Sequence, residues 1–421
     1  MTDVNLAIIG SGYISSRYLQ NAPLFKGVKI VAVADLVPEL AQAQAARFGV
    51  EALSVDAVLR RDDIDAIINL TVPDAHFEVS FAALTAGKHV FSEKPLTVSI
   101  PLAHKLVDEA DARNLALAVA PDTFLGPGAR ASRALITDGT VGRIVAGTAS
   151  VMSRGMEHWH PSPTFFFKPG GGPVLDMGPY YITTLVSLLG PVRRVVGMTS
   201  IGLPERVVTA AGPMLGQSIS VETPTTAFAV LQFAGGALIS LTMSWDVFNH
   251  ALKPIELHGT MGSLRVPDPN FYGGIVQYTQ GRGDWISIDT SRQVCGKVNF
   301  PDHAPAHANY RMLGVAEFAL AIREGRPPRA SGRLGLHVLE VLYAVLEAGE
   351  TGKTIEIEGG AAPDLLAESE LRALIVDPAA TLGILHDAAV EIGIRHLERA
   401  HRAVQLDRLQ RMVEHIPGHG Q

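Results

Sequence analysis

The sequence predicts an α/β protein: an N-terminal doubly wound parallel sheet, then a second α/β domain built largely from antiparallel strands. Three observations carry this. Residues 5–120 alternate short apolar runs with helical stretches, the pattern of a parallel sheet covered on both faces. The first apolar run passes into Gly10-Ser11-Gly12, a turn of the kind at which a strand meets a helix. From about residue 124 strand-like runs succeed one another without helices between them, and such neighbours pair antiparallel.

In chain order, strands are expected over 6–9, 29–34, 66–70, 88–91 and 115–120, and helices over 15–20, 38–48, 55–60, 76–86 and 100–113. The strand runs are apolar nearly throughout, as strands buried on both faces must be. In the second domain strands are expected over 144–151, 227–233, 237–245, 254–258 and 263–266, with Ala234-Gly235-Gly236 as a hairpin turn. Helices over 308–323 and 335–348 close that unit. The tail reads helical over 368–375, 381–393 and 396–414; the last is dense in charge, which suits a solvated face or an oligomer contact. The expected division is 1–123, 124–359 and a helical extension over 360–421.

Composition narrows the function classes. A chain of 421 residues exceeds one ordinary core, so two main domains are expected. Its 47% hydrophobic residues argue against disorder. No apolar run reaches the ~18 residues that span a bilayer, so no membrane partner is expected. Met1-Thr2-Asp3-Val4-Asn5-Leu6 lacks the features of a secretory leader. The single cysteine, Cys295, allows no intrachain disulfide, and a reduced, cytoplasmic setting follows as the expectation. A formal net charge of −7 gives no footprint for nucleic acid, leaving a small molecule as the expected partner.

The turn Gly10-Ser11-Gly12-Tyr13-Ile14-Ser15 follows a strand and opens a helix, the context of a dinucleotide fingerprint. Gly10 permits the tight turn and Gly12 admits a pyrophosphate; Ser15 stands for the third glycine and is small enough to pack. Asp35 ends the second strand, where a carboxylate accepts from the adenosine ribose and repels a 2′-phosphate, so NAD is expected over NADP. Without a ligand, the same residues would be an ordinary turn and a helix cap. Ligands of such sheets sit outside the carboxyl ends of the strands. Thr71, Pro73 and His76 after the third expected strand, Glu93-Lys94-Pro95 after the fourth and Asp122 after the fifth are therefore candidates for the cofactor groove. His76 reads equally well as a first-turn helix residue.

Gly10-x-Gly12, Asp35, Thr71-x-Pro73-x-x-His76, Ala86-Gly87-Lys88-His89-Val90, Glu93-Lys94-Pro95 and Gly170-Gly171-Gly172-x-x-x-Asp176-x-Gly178 stand in this order. In that order and spacing, from residue 6 to about 357, the chain resembles the Gfo/Idh/MocA oxidoreductases. The resemblance implies an N-terminal Rossmann domain and a C-terminal domain with a large, open, mostly antiparallel sheet, often used to form homodimers or homotetramers. It implies Lys94, Asp176 and the residue four after the aspartate as the catalytic group. Much of the family has histidine there. This chain has Tyr180, similar to the branch of dimeric dihydrodiol dehydrogenase and some xylose dehydrogenases. Tyr181 follows and stays open as the proton carrier, although Asp176 and Tyr180 share a helix face and Tyr181 turns ~100° away.

The expected reaction is NAD-dependent oxidation of a hydroxyl of a sugar, polyol or related cyclic alcohol. A free tyrosine, with a pKa near 10, is a poor base at neutral pH. A lysine cation beside it favours the phenolate, so Lys94 is expected to serve Tyr180 as well as the substrate oxygen. The loop carrying Arg154, His158, Trp159 and His160 suits a polyol, with an aromatic face for C–H surfaces and polar groups for orientation. Lys168 is expected to reach the same pocket. His158-x-His160 lacks a third ligand, so no metal is expected. Two other readings stay open: a glycosidase or epimerase that uses bound NAD transiently, and a non-catalytic nucleotide-binding regulator.

Overall fold

The computed structural model describes residues 3–301, 306–360 and 362–377. The N-terminal unit runs β1 Val4–Ile9, α1 Ser15–Asn21, β2 Val28–Ala34, α2 Pro38–Phe48, β3 Glu51–Leu53, α3 Val55–Arg60, β4 Ala66–Asn69, α4 His76–Thr85, β5 His89–Ser92, α5 Ile100–Ala112 and β6 Leu117–Val119. Its sheet has the order β3-β2-β1-β4-β5-β6, and every pair is parallel. The order reverses between β1 and β4, the crevice where such sheets bind ligands. Register places Ala34 beside Ile9, Ile9 beside Asn69, Asn69 beside Ser92 and Ser92 beside Val119. The residues after these five positions therefore emerge along one edge. The expected strands and helices are all present. Added to them is β3, a three-residue edge strand with no fully buried residue, hence without an apolar run to announce it.

The second unit continues with α6 Pro127–Thr137, β7 Ile144–Met152, α7 Gly172–Leu189, β8 Val192–Ser200, β9 Glu205–Val207, β10 Ser218–Ser220, β11 Thr226–Phe233, β12 Leu238–Ser244, β13 Ile255–Gly259, β14 Gly262–Val266, β15 Ile275–Gln280, β16 Ile286–Asp289, α8 Leu313–Glu324, α9 Gly332–Thr351, β17 Ile355–Glu356 and α10 Glu368–Ala373. Nine strands form one open sheet in the order β16-β15-β14-β13-β7-β12-β11-β8-β17, parallel only between β7 and β12. α7 and α9 cover one face, and fifteen of the eighteen residues of α7 are buried there. The opposite face leaves Met198 at 78% exposure and Phe228 at 57%, paired across β8 and β11. α6 and the strands β8, β9, β10, β15, β16 and β17 were not expected from the sequence. α6 opens with Gly126-Pro127-Gly128, which reads as a turn.

The helix expected over 308–323 starts later, at Leu313. The carbonyls of Asn309 and Arg311 both accept from the Asn21 side-chain amide, at 3.0 and 2.9 Å. Those oxygens are turned toward α1, and residues 308–312 run as non-helical chain over it. In the tail α10 forms within the expected 368–375 helix, and Leu371, Leu374 and Ile375 join the core. Arg130 and Arg329 hold Glu368 and Glu370, and Phe25 bridges Ile375, so this segment touches both units. The helices expected over 381–393 and 396–414 lie outside the described residues. Among the described residues no helix is long and apolar enough to cross a membrane.

Candidate active site

The aligned strand ends build a groove. Gly10 has φ +104°, and a Cβ there would stand 2.5 Å from the Leu70 carbonyl carbon, so the position accepts glycine alone. A Cβ at Gly12 would meet nothing within 4 Å: the backbone there is open to a close-approaching group such as a pyrophosphate. Asp35 Oδ2 accepts from the Ser11 amide at 2.7 Å and Oδ1 from Val37 at 2.9 Å, which fixes the carboxylate at the end of the turn. Beside it Leu36 is 91% exposed and Tyr13 76%. Leu36, not singled out from the sequence, offers a flat apolar ring a surface; a leucine directly after the acid was the available signal. Gly10, Ser11, Gly12, Tyr13, Ile14 and Asp35 thus lie together and fit a dinucleotide.

Thr71 and Pro73 stand at the next strand end. Asn69 Oδ1 accepts from the Thr71 amide and hydroxyl, at 3.2 and 2.6 Å. His76 departs from the expectation that it lines the groove. It is 1% exposed, and its ring lies between the carbonyls of Pro95 (2.6 Å) and Thr71 (3.0 Å). Burial pushes its pKa down, so the ring is neutral and donates from one nitrogen at a time. It ties the β4 and β5 loops together from behind. Asp122 also departs from a cofactor role. It is 2% exposed, Oδ1 accepts from the Tyr272 hydroxyl, and Oδ2 accepts from Gly314 at 2.7 Å. It fastens the end of β6 to the start of α8.

Glu93, Lys94 and Pro95 follow β5, with the Lys94–Pro95 bond cis. Glu93 accepts from the Tyr18 hydroxyl at 2.8 Å and from the Lys94 amide at 3.0 Å. The Lys94 ammonium donates to Asp176 Oδ1 at 2.8 Å and to the Asp176 carbonyl at 2.7 Å. Burial works against its charge, but the Asp176 carboxylate, helped by Tyr180 and Glu93, holds its pKa above the ordinary lysine value. One turn along α7, Tyr180 sets its ring 5.4 Å from the same ammonium. Tyr181 turns into the core at 2% exposure, where burial raises its phenol, so Tyr180 is the tyrosine at Lys94. The phenolic oxygen of Tyr180 has a neighbour that sequence reasoning missed: Arg311 Nη2 donates to it at 3.3 Å. No local pattern announces Arg311, because its place depends on Asn21 holding the 309–311 chain.

The loop between β7 and α7 brings His160 into electrostatic range of Asp176. Its ring packs edge-on to Trp159, Phe165 and Phe166 at 5.3–5.6 Å. Burial lowers the His160 pKa and the Asp176 carboxylate opposes that, while the Ser162 amide donates to Nδ1 at 3.1 Å. Trp159 is 57% exposed, and His158 is exposed beside it. Arg206 anchors this loop: it donates to the carbonyls of Arg154 and Trp245 and pairs with Glu157 and Asp246. Arg154 lies over the Phe248 ring, and Lys168 pairs with Glu222, so both are engaged away from Asp176. Among the described residues no three His, Cys, Asp or Glu side chains group as metal ligands. A cavity of about 740 Å³ lined by His104, Arg329, His337 and Glu340 lies apart and contains none of these groups.

A glycine turn, a carboxylate at the second strand end and a lysine at the fifth define a nicotinamide-dependent oxidoreductase. Residues 4–120 match the family model described as oxidoreductase family, NAD-binding Rossmann fold, and residues 129–265 that of the GFO/IDH/MocA C-terminal domain. The chain belongs to the Gfo/Idh/MocA family of oxidoreductases. It is 27% identical to 1,5-anhydro-D-fructose reductase of Ensifer adhaerens, covering 84% of this chain and 98% of that relative. It is 35% identical to dTDP-3,4-didehydro-2,6-dideoxy-alpha-D-glucose 3-reductase of Saccharopolyspora spinosa, covering 63% and 76%. A solved levoglucosan dehydrogenase in complex with NADH and L-sorbose shares the fold, with a TM-score of 0.70 at 22% identity over 85% of this chain and all of that one.

Proposed function

We propose that this enzyme interconverts a hydroxyl and a carbonyl on a sugar, polyol or related cyclic alcohol. The observation that carries the reading is the meeting of Lys94, Asp176 and Tyr180 at the edge where the glycine turn and Asp35 also emerge. Bound NAD supplies the hydride acceptor, and NADH the donor in the reverse direction. Asp176 holds two of the three ammonium protons of Lys94 and leaves the third for the substrate oxygen. Tyr180 takes the hydroxyl proton in oxidation and returns it in reduction. Trp159 and His160 offer the ring face and polar edge that a polyol needs. The printed names of the relatives, reductases and dehydrogenases of sugars and inositol, favour the same substrate class.

The test is purified protein with NAD and a panel of aldoses, inositols and anhydrosugars, followed by NADH absorbance. Net NADH with one or more of them is expected. Turnover of a glycoside or epimerisation without net NADH would replace this reading with transient use of the cofactor.

The open sheet supports a second proposal. Phe228 pairs with Met198, and Val230 with Val196, and all four are exposed. This apolar face is assigned to a second copy of the chain, giving a homodimer or homotetramer. Division into 1–123, 124–359 and an extension from 360, and a cytoplasmic setting for a chain whose lone Cys295 is buried, complete the reading.

A further inference from the structure

We propose that Arg311 is the positioning residue of Tyr180: it donates to the phenolic oxygen, directs the tyrosine's own proton toward the substrate, and steadies the anion left when that proton departs. The inference rests on the reaction proposed above. Its starting point is the 3.3 Å contact from Arg311 Nη2 to Tyr180 Oη. A phenol oxygen that accepts from a guanidinium keeps its own O–H free to donate elsewhere. Lys94, expected from the sequence to be the cation at this oxygen, instead gives two protons to Asp176 and sits over the ring.

Arg311 is partly buried, and among the described residues no carboxylate stands at ion-pair distance from it. The acids in its field are engaged elsewhere: Glu93 by the Tyr18 hydroxyl and the Lys94 amide, and Asp122 by Tyr272 and Gly314. Burial disfavours the charge of Arg311, but Glu93 supports it and a guanidinium is effectively always protonated, so it stays a cation. A cation left facing a phenol forms a full charge pair only when Tyr180 is ionised. Its stabilisation therefore depends on the proton: in reduction it grows as Tyr180 gives its proton up, and in oxidation it holds the phenolate form that takes the substrate proton.

The position is enforced from the cofactor side. Asn21 on α1, one turn beyond Tyr18, holds the carbonyls of Asn309 and Arg311. The helix that follows the glycine turn thus sets the guanidinium against α7. Lys94 faces Tyr180 beside Arg311; Asp176 and Glu93 act on Lys94, Tyr18, Tyr272, Glu93 and Asp122 on Arg311, and His160 on Asp176. In oxidation the substrate hydroxyl would give its proton to the phenolate while the carbon that bears it gives a hydride to bound NAD, leaving NADH. Carbonyl product and neutral Tyr180 result, and the tyrosine returns its proton to solvent.

The experiment compares wild type, Arg311→Met and Arg311→Lys as full chains. The readouts are kcat and KM against pH with an accepted polyol, and ultraviolet difference titration of the cofactor-free protein with Tyr180→Phe as baseline. Arg311→Met is expected to lose ~100-fold in kcat with KM changed less than ~3-fold, and Arg311→Lys to recover about tenfold of it. The pH profile for oxidation should move about one unit or more upward in Arg311→Met. The tyrosinate signal absent from Tyr180→Phe should move the same way. Unchanged pH profile and titration would overturn the proposal. So would a loss confined to KM for sugars bearing a carboxylate, which would make Arg311 a substrate-anion site. Should Arg311→Met fail to fold, Arg311→Lys still tests both readouts. Should wild type yield no NADH with any polyol, the functional reading fails while the titration still tests the Arg311–Tyr180 contact.

Discussion

Lys94 and Asp176, 82 positions apart, meet through two hydrogen bonds from one ammonium, at 2.8 Å to the carboxylate and 2.7 Å to the carbonyl. The first residue follows a strand of the nucleotide-binding sheet and the second sits in the opening turns of α7. The pair therefore latches the two units together at the place where the chemistry is assigned.

Lys94→Met is expected to lower the rate of NADH formation ~10²–10⁴-fold, measured as kcat/KM with the best polyol. Its effect on stability should depend on pH in one direction. The Lys94 pKa is raised in the folded protein, so its contribution is complete below the unfolded value near 10.4 and lost only as pH rises through the higher folded value. Denaturation midpoints of wild type and variant should differ by a constant amount from about pH 6 to 9 and converge above about pH 10. Convergence near neutrality would contradict the assignment.

Tyr180→Phe and Tyr181→Phe separate the adjacent phenols. The first should cost ~10²–10⁴-fold in kcat while NADH binding, followed by fluorescence, is kept. The second removes a hydroxyl that burial keeps protonated in the core, and should change kcat by less than ~3-fold. Equal losses in both would move the proton carrier off Tyr180.

Gly10→Ala and Gly12→Ala should fail in different ways. At Gly10 an added methyl meets the Leu70 carbonyl at 2.5 Å in a φ +104° conformation, so thermal unfolding of the cofactor-free protein should fall by about 1–3 kcal/mol or more. At Gly12 the methyl meets nothing in the protein, so stability should hold while NAD affinity drops at least ~10-fold in calorimetric titration.

Asp35→Ser tests nucleotide choice. If Asp35 serves the ribose as proposed, removing the carboxylate beside Ser11 deletes that partner and the repulsion of a 2′-phosphate. The ratio of kcat/KM for NADP to that for NAD should rise about tenfold or more; an unchanged ratio would show that Asp35 does not discriminate.

Phe228→Asp with Met198→Asp places two charges on the open face of the sheet. Light scattering should report a monomer for the double variant and a dimer or tetramer for wild type. An identical mass for both would remove this face from the oligomer contact.

The nucleotide-binding sheet was legible because its information is local and repeated. Short, largely apolar runs mark β1, β2 and β4, and Val90-Phe91 marks β5. Since parallel strands share a direction, Gly10, Asp35, Thr71 and Lys94 had to emerge on one edge. Asp176 and Tyr180 were legible for a related reason: four residues in a helix guarantee a common face. β3 and α6 escaped because a short edge strand needs no apolar run and a helix may open on residues that read as a turn.

The residues themselves could establish which side chains stand at strand ends and on which helix face. They could not establish which distant polar group each one meets. His76 and Asp122 stand where groove residues should, yet packing turns both inward, onto Pro95 and Thr71 in one case and Tyr272 and Gly314 in the other. Arg311 lies 131 positions from Tyr180 in a stretch that reads as helix, and reaches the phenol only because Asn21 holds two carbonyls of that stretch against α1. Hydrophobic periodicity records burial one element at a time. The partner of a buried polar group is chosen by how separate elements pack, and that choice is made only in the folded chain.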